Sequence, residues 1–445
     1  MKKEKRIVHA IPSKRLYQSI IADYDIDLAI CELIDNALDI WTKENRLKKL
    51  KIVLEFDIDQ QIIKVSDNAG GIAEENIKNI IAPGFTSNTS TDETIGVFGV
   101  GSKRAVVALA QEIKILTRYV NEKTLLIEYN DDWLQEEVWN LEYYTYTKNI
   151  PEASTIIELN KLRATIDQKI VDQLENHLRA TYAKFLAISN LSIIINDKDL
   201  KPILFDESWS YPPNYEPQKF VYEIPIKDEK SLRVEMLGGL VGKDQVGEGQ
   251  YGVYFYCNER LILKADKSYD FGFTIGQAGL PHPQLNPMRV LVYLNGNPER
   301  MPWNSSKSGI NFKNRIFQLL RPKILQLVTY YAKLARKLVG NIDETIYKYD
   351  EGEIQESVIE DISKPIKLHS LPSPEKLKDF AQQVIELNKK LSDKKPWIIG
   401  LYEGVIIVDN IIHTHFTQKN RYGLIMLDST LEIAFKEYLV HDAKT

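Results

Sequence analysis

Apolar side chains recur at helical spacing from Ile26 to Leu47, where Leu33, Ala37, Ile40 and Trp41 line one face. Glu32, Asn36 and Asp39 fall at i, i+4 and i+7 and share the neighbouring face. Further helices are expected over Ser13 to Asp23, Arg104 to Gln111 and Thr165 to Ala187. Short β-rich runs at Lys51 to Phe56, Gln61 to Ser66 and Leu191 to Ile195 read as strands. A second group of strand-like runs covers Phe220 to Ile226, Leu232 to Leu237, Tyr251 to Cys257 and Val290 to Leu294. Asn314 to Leu338 is amphipathic and reads as one long helix.

These patterns divide the chain. Residues 1–200 read as a two-layer α/β sandwich and residues 201–340 as a second α/β domain. Residues 341–373 are acidic, then rich in Pro and Ser, and read as a linker. Residues 374–445 read as a small C-terminal α/β module: a helix over Pro374 to Ser392, a compact β segment around Trp397 to Ile412, and a helix over Asn420 to Val440. The last helix carries more apolar residues than an isolated helix can keep in water. The module is therefore expected to dock on a partner or to continue into a longer protein.

The chemistry concentrates in the first domain. A carboxylate at Glu32, one helical turn before the carboxamide of Asn36, can take a proton from water while the amide oxygen holds a hard cation. An acidic helix face is ordinarily solvated surface, and only the following segments change that reading. The strand ending at Ser66 runs into Asp67-Asn68-Ala69-Gly70-Gly71, where glycines let the backbone pass close to a ligand. Thr86 and Ser87 open a polar stretch that leads to Gly96-Val97-Phe98-Gly99-Val100-Gly101-Ser102-Lys103 and then to a helix. Glycines before a helix start expose N–H groups to an anion. This run is not a P-loop, because Ser102 separates Lys103 from the last glycine and Arg104 follows it.

In this order the motifs resemble those of the GHKL ATPases, the superfamily of gyrase B, the Hsp90-type chaperones, histidine kinases and MutL, and most closely the MORC-like members. Glu32 and Asn36 match the family's Glu-x-x-x-Asn box. Asp67 and Gly71 match Asp-x-Gly-x-Gly, with Ala69 in place of the middle glycine. Gly96, Gly99 and Gly101 match the Gly-x-x-Gly-x-Gly lid. Thr155, in Ser154-Thr155-Ile156, stands where the family has Gly-Thr. The resemblance implies a Bergerat-type ATPase fold followed by a ribosomal-protein-like transducer domain. It implies ATP and Mg²⁺ as cofactors, with Glu32 as general base and Asn36 as the Mg²⁺ ligand. Asp67, assisted by Thr155, would accept from the adenine amino group. Gly71, Thr86, Ser87, Gly96, Gly99, Val100, Gly101, Ser102 and Lys103 would line or cover the nucleotide. Met301 to Phe312 resembles the loop in which MORC and MutL relatives carry a lysine to the γ-phosphate, which makes Lys307 the candidate sensor. Gly252 to Ile262 resembles a strand–turn–strand of the MORC second domain. Asp35 and Asp39 flank the site as capping or pairing groups, or as further ligands.

A net charge of −5 exerts no general pull on nucleic acid, so any DNA contact must come from local patches. Cys31 and Cys257 lie far apart and read as reduced core thiols of a cytoplasmic protein. No apolar run is long enough to cross a bilayer, and the basic Met1 to Arg6 lacks the apolar stretch of a secretory signal. The resemblance implies an ATP-dependent homodimer acting on DNA, in prokaryotic defence or DNA management, with a protein effector as a further possible partner. A chaperone-like ATPase acting on proteins and a nucleotide-binding module with little turnover remain as rival readings.

Overall fold

The computed structural model describes residues 14, 25–80, 93–96, 101–212, 215–242, 249–338, 347–348, 354–371, 386–412 and 416–443. The chain divides into two compact units, Met1–His369 and Ser370–Thr445.

In the first unit, helix α1 (Ile26–Lys43) precedes strands β1 (Leu50–Asp57) and β2 (Ile62–Asp67). Helix α2 (Gly101–Leu109) leads directly into β3 (Ala110–Arg118), followed by β4 (Leu125–Asn130), the short α3 (Asp131–Gln135), β5 (Tyr143–Thr145) and β6 (Ser154–Leu162). Helices α4 (Gln168–Thr181) and α5 (Ala183–Leu186) precede β7 (Leu191–Ile195) and β8 (Lys198–Asp199). Together these strands form an eight-stranded sheet in the order β5-β4-β3-β6-β2-β1-β7-β8. Strand β1 explains the layering. Leu50, Ile52, Leu54 and Phe56 are buried while Lys51, Glu55 and Asp57 are exposed, so one face meets helices and the other meets solvent.

Helix α1 ends at Lys43, short of the expected Leu47, because Asn45 and Arg46 take left-handed backbone (φ 55° and 56°). The helix expected over Thr165 to Ala187 is broken at Tyr182 (φ −105°, ψ 18°). The break turns the Tyr182 hydroxyl onto α1, within 3.0 Å of the Cys31 carbonyl oxygen and 2.7 Å of Asp35 Oδ1.

The second sheet follows after β9 (Ser210–Tyr211). It is built from β10 (Gln218–Ile224), β11 (Leu232–Leu240), β12 (Gly252–Cys257), β13 (Arg260–Asp266) and β14 (Met288–Asn295), in the order β13-β12-β14-β11-β10, with one further strand beyond β10. Helix α6 (Arg315–Lys337) packs on one face, where Phe317 meets Phe255, Phe271 and Phe312 with ring centroids 5.2 to 6.3 Å apart. On the other face Trp209, Leu237, Tyr254, Tyr256 and Leu291 cluster with Ala180 of α4. The two sheets therefore share a core through α4. Strand β12 is buried throughout, as a strand covered on both faces must be. The pair β15 (Tyr347–Lys348) and β9 stands apart. Strand β16 (Gln355–Val358) adds to β10 in parallel, inside the stretch expected as a linker. All four of its side chains are exposed, so backbone pairing and the surface contacts Lys219–Glu356 and Gln355–Glu216 hold it, and no apolar pattern announces it.

The second unit is helical where described: α7 (Lys389–Ser392), α8 (Ile398–Ile412) and α9 (Lys419–His441). The compact β segment expected around Trp397 to Ile412 is instead α8, which corrects the expected α/β character of this module. Its apolar run fits strand or helix by composition, and packing decides between them. Gly404 rests on Thr430, and Val408 and Ile412 rest on Gly423, so positions four apart face α9. Only Lys389–Ser392 and the residues just before it fall in the described part of the helix expected over Pro374 to Ser392.

Replacing Phe317, which is fully buried among three aromatic rings, with Ala should destabilise the first unit by about 3–5 kcal/mol. Urea denaturation followed by tryptophan fluorescence would show the lowered midpoint.

Candidate active site

Helix α1 is anchored from behind by Ala29, Ile30, Leu33, Ile34, Ala37, Leu38 and Trp41, all buried. That packing fixes the opposite side of the helix as the site. Glu32, Asp35 and Asp39 are also buried, at 4 %, 1 % and 4 % exposure, whereas Asn36 between them is exposed. Asn36 is the one polar group of this face that stands open to a ligand.

Lys307, on the loop after β14, reaches into the same place. Its Nζ donates to Glu32 Oε1 at 2.7 Å and to Asp35 Oδ2 at 3.1 Å. Burial alone would depress this ammonium, but the two carboxylates outweigh burial and raise its pKa above the ordinary lysine value. Arg260, on the β12–β13 hairpin, completes the group. Its Nε donates to Asp35 Oδ1 at 3.1 Å and its Nη1 to the Lys307 carbonyl at 2.8 Å. Two carboxylates and two cations thus form a buried, formally neutral quartet.

The free side of Glu32 lies against the start of α2. A Cβ on Gly101 would stand 1.8 Å from Glu32 Oε2, so only glycine fits there while Glu32 keeps its place. Lys103, in the first turn of α2, is buried, and that burial pulls its ammonium down to about 8. An anion arriving at this helix start would raise that value again.

Asp39 holds the chain that leads toward the glycines. Its Oδ1 accepts from the Ile95 N–H at 2.6 Å and its Oδ2 from the Gly96 N–H at 2.7 Å. Burial pushes its carboxyl up to about 7, partly offset by these two donors. The same segment is gripped from the second sheet, where Asn258 Nδ2 donates to the Thr94 carbonyl at 2.7 Å.

The far end of the cleft is built on neighbouring strands. Asp67 pairs in register with Thr155, and Thr155 with Thr117. The Thr155 and Thr117 hydroxyls lie 3.3 Å apart, and Thr117 Oγ1 accepts from the Ile72 N–H at 2.8 Å. Asp67 Oδ1 accepts from the Ala69 N–H at 2.9 Å, and burial pushes its carboxyl up to about 6. Gly71 has φ 68°, and a Cβ there would meet the Arg118 carbonyl oxygen at 2.1 Å. Ala69 is not among the positive-φ residues, so a side chain in place of the middle glycine brings no backbone strain.

Of the residues expected at the site, Glu32, Asn36, Gly101 and Lys307 come together at one end of the cleft, with Lys103 in the first turn of α2. Asp67, Gly71 and Thr155 come together at the other end, and Gly96 lies at the entry to the glycine run. Thr86, Ser87, Gly99 and Val100 lie outside the described residues, as does the side chain of Ser102. Arg260, Tyr182, Thr117 and Asn258 join the site without a motif to announce them. The hairpin bearing Asn258 and Arg260 is visible as a strand–turn–strand, but its reach to α1 has no sequence signal. Among the described residues no cluster of His, Cys, Asp or Glu could hold a metal by itself, and no helix is long and apolar enough to cross a membrane.

A helix carrying Glu32 and Asn36, a glycine-started helix beside it and an aspartate at a strand end are features of the GHKL ATPase fold. Residues 24–158 match the family described as histidine kinase-, DNA gyrase B- and HSP90-like ATPases. Over 90 residues the chain is 26 % identical to protein MICRORCHIDIA 4 of Arabidopsis thaliana, covering 20 % of this chain and 11 % of that protein. Over 122 residues it is 31 % identical to the B-type component of type 2 DNA topoisomerase 6 from Sulfurisphaera tokodaii, covering 26 % of this chain and 21 % of that one. The chain thus spans a small part of each of these relatives. Among solved structures, the ATPase region of Saccharomyces cerevisiae topoisomerase II aligns with a TM-score of 0.41 and 13 % identity, covering 64 % of this chain and 77 % of that one.

The raised carboxyl of Asp39 fixes a pH dependence of stability. An unfolded aspartate titrates near 3.9, so between about 4 and 7 the folded state binds this proton more tightly. The Asp39 contribution is therefore complete below about 4 and lost as pH rises through about 7, a change of at most a few kcal/mol. Thermal melts of Asp39→Asn at pH 5 and pH 8 should show a smaller loss on the alkaline side than the parent protein shows.

Proposed function

We propose that this protein binds ATP with Mg²⁺ in the cleft between α1 and α2, hydrolyses it, and couples that cycle to homodimerisation and to action on DNA. The observation that carries the reading is the contact of Lys307 with Glu32, which brings a cation from the second sheet onto the carboxylate that the GHKL motif makes the base.

The residues present fit the ligands. Asn36 is exposed beside the buried Glu32, so its amide oxygen is available to Mg²⁺, an ion that keeps several waters and takes few protein ligands. When bound, Mg²⁺ would neutralise phosphate charge. Asp67 would accept from the adenine amino group, with Thr155 beside it. The N–H groups at the start of α2 and the ammonium of Lys103 would face the phosphates. Glu32 would take the proton of the attacking water. Hydrolysis of this type needs positioning, charge neutralisation and one oriented base.

Lys307, held on Glu32, competes with water for the same carboxylate and lowers its readiness as a base. Terminal phosphate oxygens compete in turn for the ammonium, so their arrival would free Glu32 for water. That exchange gives the cycle a sensor that responds to the phosphate itself. DNA as the target is supported by the similarity to part of a DNA topoisomerase, and a role in defence or DNA management follows the MORC-like pattern. Protein effectors acting alongside the DNA are part of the same reading.

Glu32→Ala should bind ATP, hydrolyse it at least about a hundredfold more slowly, and accumulate as a dimer with ATP, read by phosphate release and light scattering. Wild-type turnover in that variant would remove Glu32 as the base. Asn36→Ala should lose the Mg²⁺-dependent part of ATP affinity in calorimetry. ATP affinity of the parent should also fall as pH drops below about 6, where Asp67 takes up a proton and becomes a weaker, uncharged acceptor for the adenine amino group. Asp67→Asn should bind weakly at every pH. Stimulation of hydrolysis by duplex DNA that fades with added salt would support the DNA target over a protein client.

A further inference from the structure

Arg260 is 2 % exposed and belongs to none of the nucleotide-site motifs. Its guanidinium joins two elements that meet at Glu32. One end holds Asp35 on α1, and the other holds the main-chain carbonyl of Lys307. Lys307 stands at φ 53°, a left-handed conformation that a lysine keeps only when its surroundings impose it. Its N–H donates to the Asn304 carbonyl at 3.0 Å, and Arg260 secures its carbonyl.

The turn presenting Arg260 is itself fixed. Asn258 and Glu259 have φ 46° and 66°, the left-handed pair of a two-residue hairpin. The Asn258 side chain donates to the Thr94 and Gly296 carbonyls at 2.7 and 3.0 Å and accepts from the Gly296 N–H at 2.9 Å. Glu259 pairs with Arg46, just beyond α1, at 2.6 Å. Arg260 therefore starts from a turn tied both to the segment after residue 92 and to the end of the site helix.

Asp35 accepts from Arg260 and Lys307 on different oxygens. A buried carboxylate stripped of a cation is costly, so Lys307 can leave only if Asp35 keeps a partner. We propose that Arg260 is a positioning residue for nucleotide turnover: it fixes the Lys307 backbone and keeps Asp35 paired, so that the Lys307 ammonium is free to move from Glu32 to a terminal phosphate. Without Arg260, Lys307 becomes the cation that Asp35 retains. This rests on the reading of Lys307 and Glu32 given above.

The test uses the full chain, with circular dichroism and ADP affinity as checks on folding. Arg260→Gln should leave ADP affinity unchanged, weaken a non-hydrolysable ATP analogue about tenfold and lower kcat about a hundredfold. Lys307→Ala should lose the preference for the analogue over ADP. In that background Arg260→Gln should cost little more, because both substitutions act through one ammonium. If Lys307→Ala keeps wild-type preference and rate, the sensor reading fails. If Lys307→Ala fails in turnover while Arg260→Gln is wild type, the sensor reading stands and the positioning role is overturned. Fully additive losses in the double variant also overturn it. Should Arg260→Gln not fold, Arg260→Lys retains a cation for Asp35 but not the two-point hold, and should show the same split between ADP and the analogue. Wild-type kcat and analogue affinity in Arg260→Lys would overturn the proposal.

Discussion

The buried quartet of Glu32, Asp35, Arg260 and Lys307 is the constraint on which the arrangement of the first unit depends. Each of these charges is too costly to bury alone, and each has its compensating partner within 3.1 Å. The partners come from three places: α1, the β12–β13 hairpin and the loop after β14. None of the three elements satisfies its own charge. The site helix can therefore bury its carboxylates only when the second sheet is docked, and the shared core around Ala180 and Trp209 supplies the apolar area that holds it there. Tyr182, turned inward by the break between α4 and α5, adds a hydroxyl to the same carboxylate.

Much of this is legible in the sequence, for reasons that differ by element. Helix α1 and the strands β1, β2 and β7 are visible because one face of each is buried and the apolar pattern repeats with the element's own period. Glu32, Asn36, Asp67 and the glycines are visible because the GHKL boxes they resemble set those residue types at fixed local spacings. Lys307 is visible only through its resemblance to a known loop, since 275 residues separate it from Glu32. Arg260 and Tyr182 have no such signal. Their partners are set by tertiary docking, which leaves no period in the chain. The break at Tyr182 is invisible for a related reason: Thr165 to Ala187 keeps a helical pattern across it, and the hydrogen bonds to Cys31 and Asp35 decide where the helix yields.

The departures from the expected elements are equally specific. Helix α8 has the composition of a strand because Ile398, Ile399, Val405, Ile406 and Ile407 are β-branched. Packing against α9 through Gly404 and Gly423 overrides that preference. Strand β16 has the composition of a linker because its side chains are exposed, and an edge strand can form on backbone pairing and surface polar contacts without an apolar face.

The quartet also bears on how the proposed nucleotide cycle would reach the second sheet. Lys307 divides its three protons between two carboxylates, whereas Arg260 is committed to Asp35 and to a carbonyl. Of the two cations, only the lysine can be exchanged without leaving a main-chain oxygen unsatisfied. Negative charge added near Glu32 would draw on that lysine first. The loop after β14 would then move relative to α1, while the hairpin stays seated through Asn258 and Glu259. In the proposed cycle, a signal beginning as competition for one ammonium would be confined to one loop, with the hairpin as the fixed point against which that loop is displaced.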